Sequence, residues 1–128
     1  MIDRIRLTAA AKIQLSTLKR KTGIEHYNAL CRHALCVSLA NASMPPEEDF
    51  NFNGGVEIDW RTFTGGYEAL YLNLILLRLQ QDGNEASIEA VRKACACHLH
   101  RGLSYLASKQ DEYLSKIIDA RELSSRRL

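Results

Sequence analysis

Residues 4–23 read RIRLTAAAKIQLSTLKRKTG, and two periodicities meet inside that stretch. Ile5 and Leu7 alternate with Arg4 and Arg6, the period of two expected of a strand with one apolar face. From Thr8 onward the period changes. Ala11, Leu15 and Leu18 recur at i, i+4 and i+7 as an apolar helical stripe, while Lys12, Ser16 and Lys19 repeat at the same spacing on a polar face. Thr8 can cap the first turn, Arg20 and Lys21 suit the negative end of the helix dipole, and Gly23 can take the positive φ that ends a helix.

A second helix is expected almost at once, because Tyr27, Leu30, Cys31, Ala34, Leu35 and Ser38 form a wide face at helical spacing. It must stop before Pro45-Pro46, and residues 41–55 are polar, acidic and broken by Pro and Gly, the marks of a loop. Val56, Ile58 and Trp60 alternate with Glu57, Asp59 and Arg61 as a second strand, closed by a turn at Gly65-Gly66. Residues 67–81 have helical length but are apolar on nearly every side, with Leu70, Leu72, Leu74, Ile75, Leu76, Leu77 and Leu79. One small core cannot cover all of these, so the stretch predicts a homo-oligomer in which another subunit supplies the cover. Ser87 caps a further helix whose core stripe is Ile88, Val91, Cys95, Leu99, Leu103 and Leu106. A last amphipathic stretch carries Tyr113, Leu114, Ile117 and Ile118, and the tail 124–127 reads as frayed.

The expected fold class is mainly α: one compact helical domain over residues 1–128, with one or two short strands. It opens on a strand-helix-helix unit like that of ribbon-helix-helix proteins and forms an oligomer. With 46% hydrophobic and 25% charged residues the composition is that of a folded globular chain. No apolar run approaches the roughly 20 residues that span a bilayer, and residues 1–4 lack a signal-peptide layout, so a cytoplasmic location is expected. The four cysteines are then expected to be reduced, and their places within helices suit buried thiols.

Charge is unevenly spread. Residues 1–40 carry seven Lys and Arg against Asp3 and Glu25, whereas residues 41–66 carry only Arg61 against Glu47, Glu48, Asp49, Glu57 and Asp59. Lys12, Lys19, Arg20 and Lys21 lead into Thr22-Gly23 and the start of the second helix, where unpaired N–H groups and a positive dipole end favour an anion. That combination describes contact with backbone phosphates rather than base reading. Arg4 and Arg6 are the further candidates, as the side chains a ribbon-helix-helix strand would send into the major groove.

Catalytic and metal constellations are weaker. Cys95, Cys97, His98 and His100 fall within six residues, but helical steps of 100° splay them around the axis, and Cys31, Cys36, His26 and His33 could join only by tertiary accident. No phosphate loop, zinc-protease or serine-hydrolase motif occurs. The acidic residues from Glu47 to Asp59 leave a metal-dependent DNA nickase as one alternative, and a ribbon-helix-helix regulator is the other. No catalytic residue, cofactor or metal ligand is therefore assigned.

The same residues resemble the DndE family of DNA sulfur-modification (phosphorothioation) proteins. The matching segments are 4–7, 18–20, 22–24, 28–36, 45–48 and 98–106, within a DndE-like core of about 3–107, with about 108–128 as a helical extension. The resemblance implies a non-catalytic, double-stranded-DNA-binding subunit, tetrameric, with a preference for nicked duplex. It implies partners too: a cysteine desulfurase, an iron–sulfur enzyme and an ATPase that carry out the sulfur chemistry. It places DNA contact at Lys19 to Gly23.

Overall fold

The computed structural model of the chain describes residues 2–109. The elements run β1 (Arg4–Leu7), α1 (Ala9–Thr22), α2 (Tyr27–Ala40), β2 (Val56–Asp59), α3 (Trp60–Thr64), α4 (Glu68–Gln81) and α5 (Ile88–Ala107). The mainly helical class with two short strands is what the periodicities predict. The amphipathic stretch with Tyr113, Leu114, Ile117 and Ile118, like the tail beyond it, lies outside the described residues.

Local chemistry sets most boundaries. Thr8 accepts a bond from the Ala11 N–H, and Gly23 closes α1 at φ 71° with its own N–H on the Lys19 carbonyl. Ser87 accepts from the Ala90 N–H at the start of α5. The second strand is shorter than the alternation suggests. Asp59 accepts the Thr62 N–H at 3.2 Å and so starts α3, which takes Trp60 and Arg61 out of the strand and into a helical turn. Trp60 and Phe63 then face the core from α3.

β1 and β2 form an antiparallel ladder that matches Arg4 with Asp59, Ile5 with Ile58, Arg6 with Glu57 and Leu7 with Val56. Ile5 and Leu7 are buried and the arginines exposed, as the alternation requires. Helix α5 lies at the centre, packed against α1, α2, α4 and β1. Leu99, Leu103 and Leu106 are buried there among Leu15, Leu18, Leu35, Phe63 and Ile75. Each such side chain contributes about 1.5–3 kcal/mol by leaving water. Ile88, predicted for the same stripe, is instead exposed at the first turn.

The helices α2 and α5 approach each other closely. Gly102 sits against the backbone of Ala34, where a Cβ would overlap the Ala34 carbonyl. Helix α4 is only partly covered by this core. Only Ile75, Arg78 and Leu79 are buried, while Leu70 is 53% and Leu77 51% exposed, so its outer face is open in the single chain.

Gly102→Ala tests the helix crossing. Alanine is the better helix former by about 1 kcal/mol, but the added methyl meets rigid backbone, and overpacking of that kind costs roughly 1–3 kcal/mol. A net loss of stability in urea unfolding is expected; a gain would show that α5 can shift at no cost.

Candidate nucleic-acid interface

The basic residues of α1 emerge on its outer face. Lys12, Lys19, Arg20 and Lys21 are exposed, the last three within the final turn. Among the described residues Lys12, Lys19 and Arg20 have no ion-pair partner. The Lys19 ammonium lies over the Tyr27 ring, 5.4 Å from its centroid, and the Tyr27 hydroxyl is 3.2 Å from that of Ser16. Lys12, Ile13, Ser16 and Arg20 line a shallow groove whose other side is Gly54. Ile13 is 67% exposed between these cations. The face thus offers positive charge and a hydroxyl along one helix.

The remaining candidates behave differently. Thr22 is buried: its hydroxyl donates to the Leu18 carbonyl at 2.7 Å and accepts the Ile24 N–H at 3.2 Å, so its role is to hold the helix end. Gly23 is exposed with open space about its Cα, but it caps α1, and α2 begins only after His26, whose side chain makes no capping bond. Arg4 and Arg6 share one carboxylate: Glu57 lies 3.7 Å from the Nε of Arg4 and 3.1 Å from that of Arg6. Arg6 also rests over the Phe52 ring at 5.0 Å. Their charge is partly offset by the strand they pair with, and β1 is bound to β2 of its own chain.

Among the described residues no three His, Cys, Asp or Glu side chains are grouped to hold a metal ion. Cys31, Cys95 and Cys97 are buried and Cys36 is exposed. Burial pushes the Cys31 and Cys95 thiols up to about 12, so both stay protonated. His100 is neutral with its proton on Nδ1, which donates to the Ala96 carbonyl, while Nε2 accepts the Thr8 N–H at 3.2 Å. Phe50 stacks on that ring.

A polar network that sequence reading missed fixes the end of α2. Arg78, buried on α4, donates from Nε to both oxygens of Asp82 and from its terminal nitrogens to the carbonyls of Leu39, Asn41, Ala42 and Ser43. Arg101 of α5 donates to the Ser38 hydroxyl and carbonyl and to Ser43. The two guanidiniums satisfy helix-end carbonyls for which α2 has no glycine cap. His98 lies beside them, 2.9 Å from the Ser38 hydroxyl. His98 is buried.

Comparison with known proteins bears on this arrangement. The family model described as "DNA sulphur modification protein DndE" matches residues 4–113. The chain belongs to the DndE family. The solved structure of DndE from Escherichia coli B7A, described as involved in DNA phosphorothioation modification, superimposes with a TM-score of 0.66 at 24% identity. The match covers 83% of this chain and 98% of that one, so nearly the whole of that fold is present here. Comparison with curated proteins finds no match. In this DndE chain no helix of the described residues is long and apolar enough to cross a membrane.

The buried network gives the DndE fold a pH dependence. Burial, with Arg78 and Arg101 nearby, lowers His98 from 6.5 to about 4. The folded state therefore refuses a proton that the unfolded chain accepts below about 6.5. Its contribution is fully present above pH 6.5 and falls away as pH drops toward 4, a loss of roughly 3 kcal/mol. His33 and His100, also lowered by burial, act in the same direction. Urea midpoints between pH 7 and pH 4 should fall, and His98→Gln should flatten that fall; an unaltered profile would remove His98 as its source.

Proposed function

We propose that this protein is a non-catalytic DNA-binding subunit of a bacterial DNA phosphorothioation system, holding the backbone of double-stranded DNA on the outer face of α1. What carries the reading is one observation: a helix of a DNA sulphur-modification family presents Lys12, Lys19, Arg20 and Lys21 on the surface, three of them in one turn. Lysine is a point charge, suited to phosphate contact at many sequences and unsuited to bidentate base reading. Arg4 and Arg6 stand in a second rank, because Glu57 competes for them. The sulfur chemistry then belongs to partner proteins, a cysteine desulfurase, an iron–sulfur enzyme and an ATPase, and nicked duplex is one DNA form to compare with intact duplex.

The assembled form in this reading is a homo-oligomer, a tetramer as the family resemblance implies, with the outer face of α4 between subunits. Tyr67, Leu70 and Leu77 are exposed there, spaced so that a neighbour could bury them together.

Two experiments test the reading. Replacing Lys19, Arg20 and Lys21 by Ala should weaken binding to a fluorescent 30-base-pair duplex by about tenfold or more. It should also reduce the log-log salt slope by roughly 2.7, about 0.9 for each phosphate no longer neutralised. Unchanged affinity would place the DNA surface elsewhere, and relaxation of supercoiled plasmid by pure protein with Mg²⁺ would contradict a non-catalytic role. Leu70→Glu with Leu77→Glu should convert the assembly to monomer in sedimentation velocity; an intact oligomer would move the interface off α4.

A further inference from the structure

The free edge of β1 forms one wall of a groove of about 620 Å³ that lies apart from the α1 face proposed for DNA. The ladder fixes which backbone groups face it. The Trp60 N–H bonds the Asp3 carbonyl at 2.9 Å, so Asp3, Ile5 and Leu7 exchange bonds with β2, and the main chain of Arg4, Arg6 and Thr8 points the other way. Thr8 confirms that direction, since its N–H reaches across to His100 on α5. Among the described residues the N–H and C=O groups of Arg4 and Arg6 on this edge have no partner. They lie two residues apart, the spacing at which an added strand bonds.

The groove floor is apolar, made by Ala96 and the buried Cys95 and Leu99, and Phe50 flanks it from the 41–55 loop. Its rim carries an excess of negative charge. Asp3, Glu48, Asp49 and Glu89 balance Arg4, Arg6, Arg92 and Lys93 along the lining, and Glu57, shared by the two strand arginines, with Glu47, paired to Lys93, adds the two negative charges in excess. A polyanion is disfavoured there, whereas lysine or arginine side chains are drawn in.

The geometry points to this edge as a strand-addition site for a protein partner, taking a basic, extended peptide segment. Its main chain pairs with Arg4 and Arg6, one row of side chains meets the floor, and the alternate row meets the acidic rim. Unpaired strand edges recruit extended backbone by this route, with affinity from main-chain bonds and selectivity from alternate side chains. The site is independent of the DNA contact proposed on α1, and the two carry opposite charge.

The test uses the full chain and an acetylated, amidated octapeptide of alternating lysine and valine, with the glutamate–valine peptide as control. In hydrogen exchange followed by NMR, the lysine peptide should slow the Arg4 and Arg6 amides by about tenfold and leave Ile5 and Leu7, already paired to β2, as they were. The glutamate peptide, and the Glu48→Lys, Asp49→Lys variant with the lysine peptide, should each bind about tenfold more weakly. Arg6→Pro removes the edge-facing N–H at a place where proline is tolerated, and Arg6→Ala, which loses the same contacts to Glu57 and Phe52 but keeps the N–H, is its control; the proline variant should bind more weakly than the alanine one. If the proline variant fails to fold, exchange and charge reversal still decide. Binding without protection of Arg4 and Arg6 overturns the proposal, as does equal binding of both peptides. Protection of these amides by duplex DNA, or by raising protein concentration alone, overturns it in favour of a nucleic-acid or self-association edge.

Discussion

Gly102 against the Ala34 carbonyl is the contact on which the arrangement of the chain depends. Only a residue without a side chain lets α5 approach α2 this closely, and that approach puts one turn of each helix within bonding distance. Ser38 meets His98 and Arg101 there, and Arg78 arrives from α4 to take the carbonyls that α2 leaves at its end. Removing either guanidinium would leave buried carbonyls, and for Arg78 also the Asp82 carboxylate, without their donor, a loss of the order of 3–5 kcal/mol for a buried charged pair. The network thus orients the 41–55 loop as it leaves α2, and the loop in turn places Phe50 on His100 and Phe52 under Arg6.

Charge is sorted by the same framework. The acidic middle of the sequence returns to the surface along β2 and the loop, where Glu57 meets the β1 arginines and Glu47 meets Lys93. Among the described residues Lys12, Lys19 and Arg20 of α1 have no acidic partner, so they keep their attraction for an anion. Salt would screen such exposed charges beyond about 8–10 Å, which makes the face a short-range contact rather than a long-range funnel.

Much of this was legible in the residues. Thr8, Gly23, Ser87 and the stripes of α1, α2 and α5 follow from capping chemistry and period alone. Trp60 misleads because it continues the β2 alternation, and only the Asp59–Thr62 pairing shows that a helix has begun. Arg78 was hidden among leucines, though a single charge in such a run is itself a sign of a buried anchor. Local pattern was enough to place Lys12, Lys19, Arg20 and Lys21 at the surface of one helix, but not to place residues whose setting depends on tertiary contacts. Thr22 turns inward for its own helix end, and the sharing of Glu57 by Arg4 and Arg6 depends on a register that no local pattern encodes.

The β1–β2 ladder has a consequence for biogenesis. It joins residues on either side of α1, α2 and a long loop, so no part of it can form until position 56 has left the ribosome, nor all of it until position 59 has. At typical translation rates of 5–20 residues per second, β1 waits on the order of 3–10 s after its own synthesis, with both backbone edges bare. The helical pair can assemble during that interval, and the sheet closes over it afterwards. Helices α4 and α5 follow later still, so the core centred on α5 closes only after the ladder can form.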